Sequence, residues 1–369
     1  MANASKFRFE NLDSIRTIAF FSTFLAHAFY AESPEILESD AFQIAVGFRQ
    51  IFSFGVPIFF VLSGFLITYL MLREQHLIGK FSLKDFYMRR VLRIWPLFYL
   101  VLIFGFVVFP LVRTFILHDP YIETADWRMY FTFLSNFDQI NQPQLPYGVG
   151  LGPTWSVSIE EQYYLMWPIL LLFFKRRKFI LPILLVVISS LFFTSFFSLS
   201  NKHTVFCMTY LAVGAGAAYL AYYYESFIRK ITNVNGAFFL LAIAALFGLI
   251  YASTKGYGNI FVIFFIASLI SYIIVYQCYA NRMTLKSIPF LERWGKYTYG
   301  LYLYHVICNF IIHMLIDKIA GIPESLSMAL FVKPFLSLIL SMIVSFYSYH
   351  YFERFFLSLK KKFTPTVSE

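Results

Sequence analysis

Residues 51–71 read IFSFGVPIFFVLSGFLITYLM, an unbroken run without a charged side chain. A helix needs about 20 consecutive apolar residues to cross the hydrocarbon core of a bilayer. Comparable runs recur along the whole chain, and charged residues make up only 14% of its 369 residues, whereas soluble domains carry about 25%. The sequence therefore predicts an all-α, polytopic membrane protein.

Ten segments are predicted to cross the membrane, with boundaries at 15–30, 45–71, 88–112, 155–174, 179–198, 204–224, 236–253, 258–279, 298–317 and 328–352. No polar stretch between them is long enough to form a soluble domain. We therefore expect residues 1–369 to form a single membrane domain, with a core at about 10–355 and short tails.

Basic residues are concentrated in every other predicted loop, at 6–8, 73–93, 175–178, 229–230, 282–296 and 360–362. The positive-inside rule places these loops and both termini in the cytoplasm, and an even number of spans agrees. The net charge of +10 then faces the anionic inner leaflet, so no nucleic-acid partner is expected.

An alternative concerns the N-terminus. Its basic residues, the short apolar stretch 18–25 and Ala26-His27-Ala28 are also typical of a cleavable signal peptide. Cleavage would leave an odd number of spans and would break the charge alternation. We therefore favour an uncleaved first span.

The three cysteines, Cys207, Cys278 and Cys308, all fall inside apolar runs. They share no metal-ligand spacing, so they are predicted to be small apolar core residues. No disulfide framework and no metal site are expected.

The first span contains Arg16 and His27. Ionisable residues inside a span are costly, which makes each a candidate for function. Eleven residues are about three helical turns, so the two side chains share a face and lie roughly 16 Å apart along the axis. Asp13 lies one turn before Arg16 and could pair with it. Alternatively, Arg16 extends to the inner headgroups and His27 is a hydrogen-bonded core residue.

The third span begins with Arg89, Arg90 and Arg93. Three guanidinium groups at one helix end suit a phosphate-bearing ligand, although membrane anchoring would also explain them. The second span contains Ser63 and Gly64. Gly64 either permits close helix packing or shapes a path for a ligand.

The fourth span carries two adjacent carboxylates, Glu160 and Glu161, shortly after Trp155. The positive end of the helix dipole favours carboxylates near a helix N-terminus. We expect one of them to face the bundle and the other the headgroups, with Trp155 in the interfacial aromatic belt.

The ninth span places Tyr302, Tyr304 and His305 on one helix. These side chains could line a polar cavity, or they could form a hydrogen-bonded layer in the core. The tenth span ends in residues 350–354, HYFER, which we interpret mainly as an anchor at the inner interface.

Taken together, these motifs resemble the membrane acyltransferase 3 family, the bacterial O-acetylases of cell-surface glycans. The motifs are LDSIR at 12–16 through His27, FVLSGF at 60–65, RRVLRIWP at 89–96, WSVSIEEQYY at 155–164 and YGLYLYH at 299–305. Ser14 replaces the family's usual glycine, and Thr298 stands where serine is common. The chain resembles the stand-alone members, which lack a C-terminal hydrolase-like domain.

The resemblance implies a ten-helix fold in the bacterial cytoplasmic membrane and transfer of an acyl group from cytoplasmic acyl-CoA. Acetyl is the commonest donor group in the family. Donor binding would fall to Arg16, Arg89, Arg90 and Arg93, with Ser63 and Gly64 nearby. The acceptor would be a hydroxyl of a glycan or lipid-linked saccharide on the far side, with lipopolysaccharide, capsule and exopolysaccharide all open.

For the chemistry, the resemblance implies His27 as the general base. Glu160 is expected to orient the imidazole as in a hydrolase triad, with Glu161 as the second choice. Tyr302, Tyr304 and Ser63 are candidates for oxyanion stabilisation. A covalent acyl-histidine route stays open. The alternative function is a transporter or flippase of lipid-linked saccharide, although the paired halves typical of transporters are not visible in the sequence.

Overall fold

The computed structural model describes residue 9 and residues 11–79, 81–118, 121, 123–142, 148–174, 176–233, 236–281, 283–285 and 288–364. These residues form helices joined by short loops and contain no strand. The prediction of an all-α fold is confirmed. The predicted basic positions at 6–8, 80, 175, 282 and 286 lie outside the described residues.

The α-helices of the described residues are numbered in chain order. They are α1 Leu12–Ala28, α2 Pro34–Leu37, α3 Asp40–Phe52, α4 Gly55–Ile78, α5 Leu83–Ile103, α6 Phe109–Leu111, α7 Trp127–Phe131, α8 Ser135–Asn141, α9 Thr154–Leu172, α10 Ile180–Phe197, α11 Thr204–Tyr223, α12 Glu225–Thr232, α13 Gly236–Ala252, α14 Ile260–Tyr279, α15 Pro289–Trp294, α16 Thr298–His313, α17 Lys333–Ser348 and α18 Arg354–Leu359. Several are extended by π-helical turns, at Phe104–Val108, Val112–Ile116, Ser253–Tyr257, Met314–Ile319, Met328–Val332 and Tyr349–Glu353.

Eight helical segments of the described chain are long and apolar enough to cross a membrane: Asp40–Ile78, Leu83–Ile116, Ile180–Phe197, Thr204–Tyr223, Gly236–Tyr257, Ile260–Tyr279, Pro289–Asp317 and Met328–Phe363. The two other predicted spans coincide with α1, which has 17 residues, and α9, which has 19 residues and carries polar side chains in its first half. The chain is therefore a polytopic membrane protein, and the orientation of its termini stays a prediction.

The predicted span 45–71 is not one continuous helix. It is divided into α3 and α4, which meet at residues 53–54. At this junction Ser22 of α1 donates a hydrogen bond to the carbonyl of Phe52 over 2.7 Å. A Cβ atom on Gly55 would lie only 2.3 Å from the carbonyl oxygen of Ala19. The break therefore lets α1 pack directly against the start of α4.

Gly64 serves the packing of α4 against α11. A Cβ atom at this position would lie 1.9 Å from the carbonyl oxygen of Leu211, and Gly214 approaches the carbonyl of Val61 in the same way. Glycine at both contacts lets the two backbones approach closely, as small residues do in membrane bundles. Of the two interpretations of Gly64, the structure supports close helix packing.

Candidate active site

The end of α1 carries His27, which lies beside His305 of α16. His27 Nδ1 is 2.9 Å from the carbonyl oxygen of Thr23 and 3.3 Å from His305 Nε2. His305 Nδ1 is 2.6 Å from the carbonyl oxygen of Tyr302. The first and the ninth predicted spans therefore meet at a pair of imidazole rings, which the sequence did not pair.

The carbonyl contacts assign the protons of both rings. A carbonyl oxygen can only accept a hydrogen bond, so Nδ1 carries the proton in each neutral imidazole. His27 Nδ1–H then donates to Thr23 and also to the free Nε2 lone pair of His305. His27 Nε2 keeps its own lone pair, and it has no hydrogen-bond partner among the described residues.

The two rings differ in their surroundings. The side chain of His305 is fully buried, with 0% exposure, and it makes edge contacts with Phe20 and Phe24. The side chain of His27 is exposed, while Asn309 Nδ2 donates to its backbone carbonyl over 3.0 Å. The buried ring of His305 thus lies against the ring of the exposed His27.

The expected contact between Glu160 and His27 is not formed, which corrects the triad prediction. Glu160 Oε1 accepts a hydrogen bond from Ser63 Oγ at 2.7 Å, and its Oε2 accepts one from the Tyr164 hydroxyl at 3.1 Å. His305, not a carboxylate, accepts the hydrogen bond from the His27 ring. The sequence named both His305 and Glu160, but their partners depend on how α9 and α16 pack.

Glu161 also lies inside the bundle, which corrects the expectation that one carboxylate faces the headgroups. Its Oε2 accepts a hydrogen bond from Trp95 Nε1 at 2.8 Å. Its Oε1 is buried and has no hydrogen-bond partner among the described residues. Both carboxylates of α9 therefore face neighbouring helices.

The four predicted arginines lie close together at the opposite end of α1 from His27. Two are paired, since Arg16 lies 2.5 Å from Asp13 and Arg89 lies 2.7 Å from Glu74. The contact of Arg16 with Asp13 confirms the ion pair predicted from their spacing.

The two remaining arginines form no ion pair among the described side chains. Arg90 lies over the rings of Phe86 and Tyr164, each at 5.6 Å, and its buried Nε has no hydrogen-bond partner among the described residues. Arg93 is half-buried, and its charge acts on both Arg16 and Glu160. This end of the bundle therefore holds positive charge that the described carboxylates do not fully neutralise.

Polar side chains of α4, α9 and α16, here called the polar strip, include Glu160, on which Arg90 and Arg93 act, and Tyr302, a neighbour of His305. Glu160 binds Ser63, and the hydroxyl of Tyr302 lies 2.5 Å from Ser156 Oγ. The ring of Tyr302 lies 5.9 Å from that of His305.

Tyr304 faces away from this strip. Its hydroxyl lies 3.0 Å from Ser348 Oγ on α17, and its side chain lines an apolar pocket between α5 and α16. Of the two tyrosines, Tyr302 is therefore the one placed beside the histidines.

The model of the family described as "Acyltransferase domain" matches residues 9–350 of the chain. The chain belongs to the acyltransferase 3 family. The match includes every motif described above, from Arg16 to His305. The polar strip and the histidine pair are therefore features of an acyltransferase 3 domain.

Several curated proteins are similar to part of this domain. Peptidoglycan O-acetyltransferase OatA of Listeria monocytogenes is 35% identical over 121 residues, which make up 31% of this chain and 19% of the relative. O-acetyltransferase OatA of Staphylococcus aureus is 33% identical over 119 residues, with the same coverage of 31% and 19%. An uncharacterized protein of Haemophilus influenzae is 36% identical over 118 residues, or 31% of this chain and 47% of the relative. The aligned part is thus less than half the length of each of these relatives. No solved structure matches the chain.

One acidic residue near the end of the tenth predicted span is more buried than the sequence indicated. Glu353, interpreted above as part of an interfacial anchor, is only 8% exposed. Its Oε1 accepts a hydrogen bond from Ser348 Oγ at 3.3 Å, and its charge interacts with Arg93. The signal in the sequence that could have indicated this burial was the position of Glu353, a carboxylate at the end of a predicted span.

The loops at the His27 end of the bundle add a second group of side chains near this histidine. Lys202 Nζ donates to Gln139 Oε1 over 3.0 Å and lies 5.9 Å from the ring centre of Trp155. Burial lowers the pKa of Lys202. The charges of Lys202 and Arg49 both act on the imidazole of His27. The sequence did not indicate Lys202 as part of the site, because its proximity to α1 is purely tertiary.

Proposed function

We propose that this chain is a membrane O-acyltransferase of the bacterial cytoplasmic membrane. It would move an acyl group, with acetyl expected, from cytoplasmic acyl-CoA to a hydroxyl of a glycan or lipid-linked saccharide at the outer side. The observation that carries this proposal is the exposed His27, whose ring nitrogen Nδ1 lies 3.3 Å from His305 Nε2.

In this mechanism His27 Nε2 takes the proton of the acceptor hydroxyl, and the hydroxyl oxygen attacks the thioester carbonyl. The new C–O bond forms as the C–S bond breaks. The departing thiolate of coenzyme A then takes the proton back from Nε2. During this cycle His27 is briefly a cation, and the lone pair of His305 stabilises its Nδ1–H.

The donor's phosphates would bind at the arginine end. Arg90 and Arg93 have no ion pair among the described residues, and guanidinium groups bind phosphate oxygens with two parallel hydrogen bonds. The narrow pantetheine arm would follow the polar strip toward His27. Tyr302, beside His305, is placed to donate to the developing oxyanion.

The acceptor would bind beside Trp155, Lys202 and Gln139, which supply an aromatic ring, a cation and an amide near His27. Such a combination suits the apolar faces and hydroxyl groups of sugars. The names of the OatA relatives describe O-acetylation, of peptidoglycan in the Listeria protein. Peptidoglycan is therefore the first acceptor to test, ahead of lipopolysaccharide and exopolysaccharide.

The test is release of coenzyme A from acetyl-CoA by the purified chain in lipid nanodiscs, with soluble peptidoglycan fragments as acceptor. We expect release that depends on the acceptor, and a loss of at least about 100-fold in His27→Ala. The matched control is His118→Ala, since His118 is exposed and lies in a loop. Undiminished turnover in His27→Ala would refute the base assignment. Transport of lipid-linked saccharide without binding of acyl-CoA would instead support a flippase.

A further inference from the structure

The C-terminal segment of the described chain folds back onto the helix that carries the arginines. After α18, a tight turn at Lys360–Phe363 packs against α5. Arg89 Nη1 donates a hydrogen bond to the carbonyl oxygen of Phe363 over 2.7 Å. The segment 354–363 is thereby attached at the arginine end of the bundle.

Within this turn, Lys360 differs from the two lysines that follow it. Lys361 and Lys362 are exposed, whereas Lys360 is half-buried. From sequence, all three lysines belong to one basic tail facing the anionic inner leaflet, which we call the anchor interpretation. Their different burial shows that the turn directs Lys360 toward the protein and the other two away from it.

The charges that act most strongly on Lys360 are positive and belong to Arg93, Arg90, Arg89 and Arg16. Lys360 forms no ion pair among the described residues. Clustered like charges are unfavourable at short range.

The described carboxylates of this region interact with groups other than Lys360, including Glu353 with Arg93. Asp13 and Glu74 pair with Arg16 and Arg89. The oxygens of Glu160 accept hydrogen bonds from Ser63 and Tyr164. Together with the buried, unpartnered Nε of Arg90, this arrangement is suited to a ligand that carries several negative charges.

We propose that Lys360 is a donor-binding residue and that the C-terminal turn places this side chain, but not those of Lys361 and Lys362, in the site for the phosphates of acyl-CoA. Lys360 would bind a phosphate together with Arg90 and Arg93. This inference rests on the proposed function, because it assumes an acyl-CoA donor at the arginine end. It assigns to the C-terminal segment a role in substrate binding that the anchor interpretation does not contain.

The anchor interpretation makes a different prediction, which allows a sharp comparison. If the three lysines act only as an anchor, removing any one charge should have the same small effect. If Lys360 binds a phosphate, Lys360→Gln should be far more damaging than Lys361→Gln or Lys362→Gln. All three variants remove the same charge from the same turn.

The experiment measures equilibrium binding of radiolabelled acetyl-CoA to the full chain in phosphatidylcholine nanodiscs. We expect Lys360→Gln to raise the Kd about tenfold, the loss typical of one charged hydrogen bond, and both control variants to stay within about twofold. Lys360→Arg should restore most of the affinity, because it keeps the charge. This rescue also shows that the turn still folds.

Equal values for the three glutamine variants would overturn the inference. So would an effect of Lys360→Gln that appears only in nanodiscs of anionic phosphatidylglycerol, because the phosphate would then be that of a lipid headgroup. Absence of acetyl-CoA binding by the unmodified chain would refute the proposed function itself. If the unmodified chain binds acetyl-CoA and the Lys360→Gln variant binds it with the same Kd, only the role of Lys360 is refuted.

Discussion

His305 Nε2 lies 3.3 Å from His27 Nδ1, so a neutral imidazole occupies the position that a carboxylate takes in a hydrolase triad. A neutral acceptor stabilises an imidazolium less than a carboxylate does, but it also adds no buried charge to the middle of a membrane bundle. In the proposed mechanism His305 therefore serves as a positioning residue. It holds the His27 ring so that Nε2 faces the accessible side.

The first prediction concerns this ring. His305→Gln should lower the kcat of acyl transfer about 10- to 100-fold, because a hydrogen bond to a charged group is worth about 1.5–3 kcal/mol. The KM for acetyl-CoA should stay within about twofold, since the arginines are untouched. Steady-state kinetics in nanodiscs measures both values. A raised KM with an unchanged kcat would contradict the positioning role.

The second prediction separates two tyrosines on the same helix. Tyr302→Phe removes a hydroxyl beside His305, whereas Tyr304→Phe removes one that binds Ser348 on the other side of α16. We expect Tyr302→Phe to reduce kcat at least about tenfold, because loss of an oxyanion donor is costly, and Tyr304→Phe to keep at least half of the activity. The same loss in both variants would argue against Tyr302 as the oxyanion donor.

A third comparison uses the adjacent carboxylates. Glu160 binds Ser63 and Tyr164 and lies in the field of Arg90 and Arg93. Among the described residues, Glu161 has one hydrogen bond, from Trp95. We therefore expect Glu160→Gln to reduce transfer more than Glu161→Gln, by roughly tenfold.

Transfer rates of the Glu160 and Glu161 variants at equal protein levels decide this comparison. A loss of transfer in Glu161→Gln alone would mean that Glu161, and not Glu160, is needed for the reaction. Binding of acetyl-CoA serves as the control for folding in both variants.

The fourth prediction concerns the donor arginines. Arg93 forms no ion pair among the described residues, while Arg89 already binds Glu74 and the carbonyl of Phe363. Arg93→Gln should raise the KM for acetyl-CoA about tenfold, and Arg89→Gln should raise it less but lower the thermal stability. An unchanged KM in Arg93→Gln would remove this residue from the donor site.

The fifth prediction tests helix packing. Gly64→Ala would place a Cβ atom 1.9 Å from the carbonyl oxygen of Leu211, whereas a Cβ atom on Gly248 meets nothing within 4 Å. We expect Gly64→Ala to destabilise the bundle by about 1–3 kcal/mol, the usual cost of overpacking. Gly248→Ala should be neutral. Thermal unfolding in detergent compares the two, and equal melting temperatures would contradict close packing at Gly64.

Some features of the candidate site could be predicted from short stretches of sequence. The spacing of Asp13 and Arg16 predicts their ion pair because residues three apart on a helix are neighbours. The proximity of Arg89, Arg90 and Arg93 follows from the same periodicity. The division of 45–71 into α3 and α4 was not predicted, because it depends on Gly55 and Ser22 at the contact with α1.

The sequence by itself determined that the chain is a helical membrane protein with an arginine and a histidine on separate turns of its first span. Apolar length and helical periodicity are local properties, and in lipid the backbone must satisfy its hydrogen bonds within each helix. Only the tertiary structure decided that His27 is supported by His305 instead of Glu160, and that Lys360 lies among the arginines. His27 and His305 are 278 residues apart in the sequence. Lys360 lies in the C-terminal turn, separate from the helices that carry the arginines. Their proximity depends on how α1, α5, α16 and the C-terminal turn pack, which no local pattern specifies.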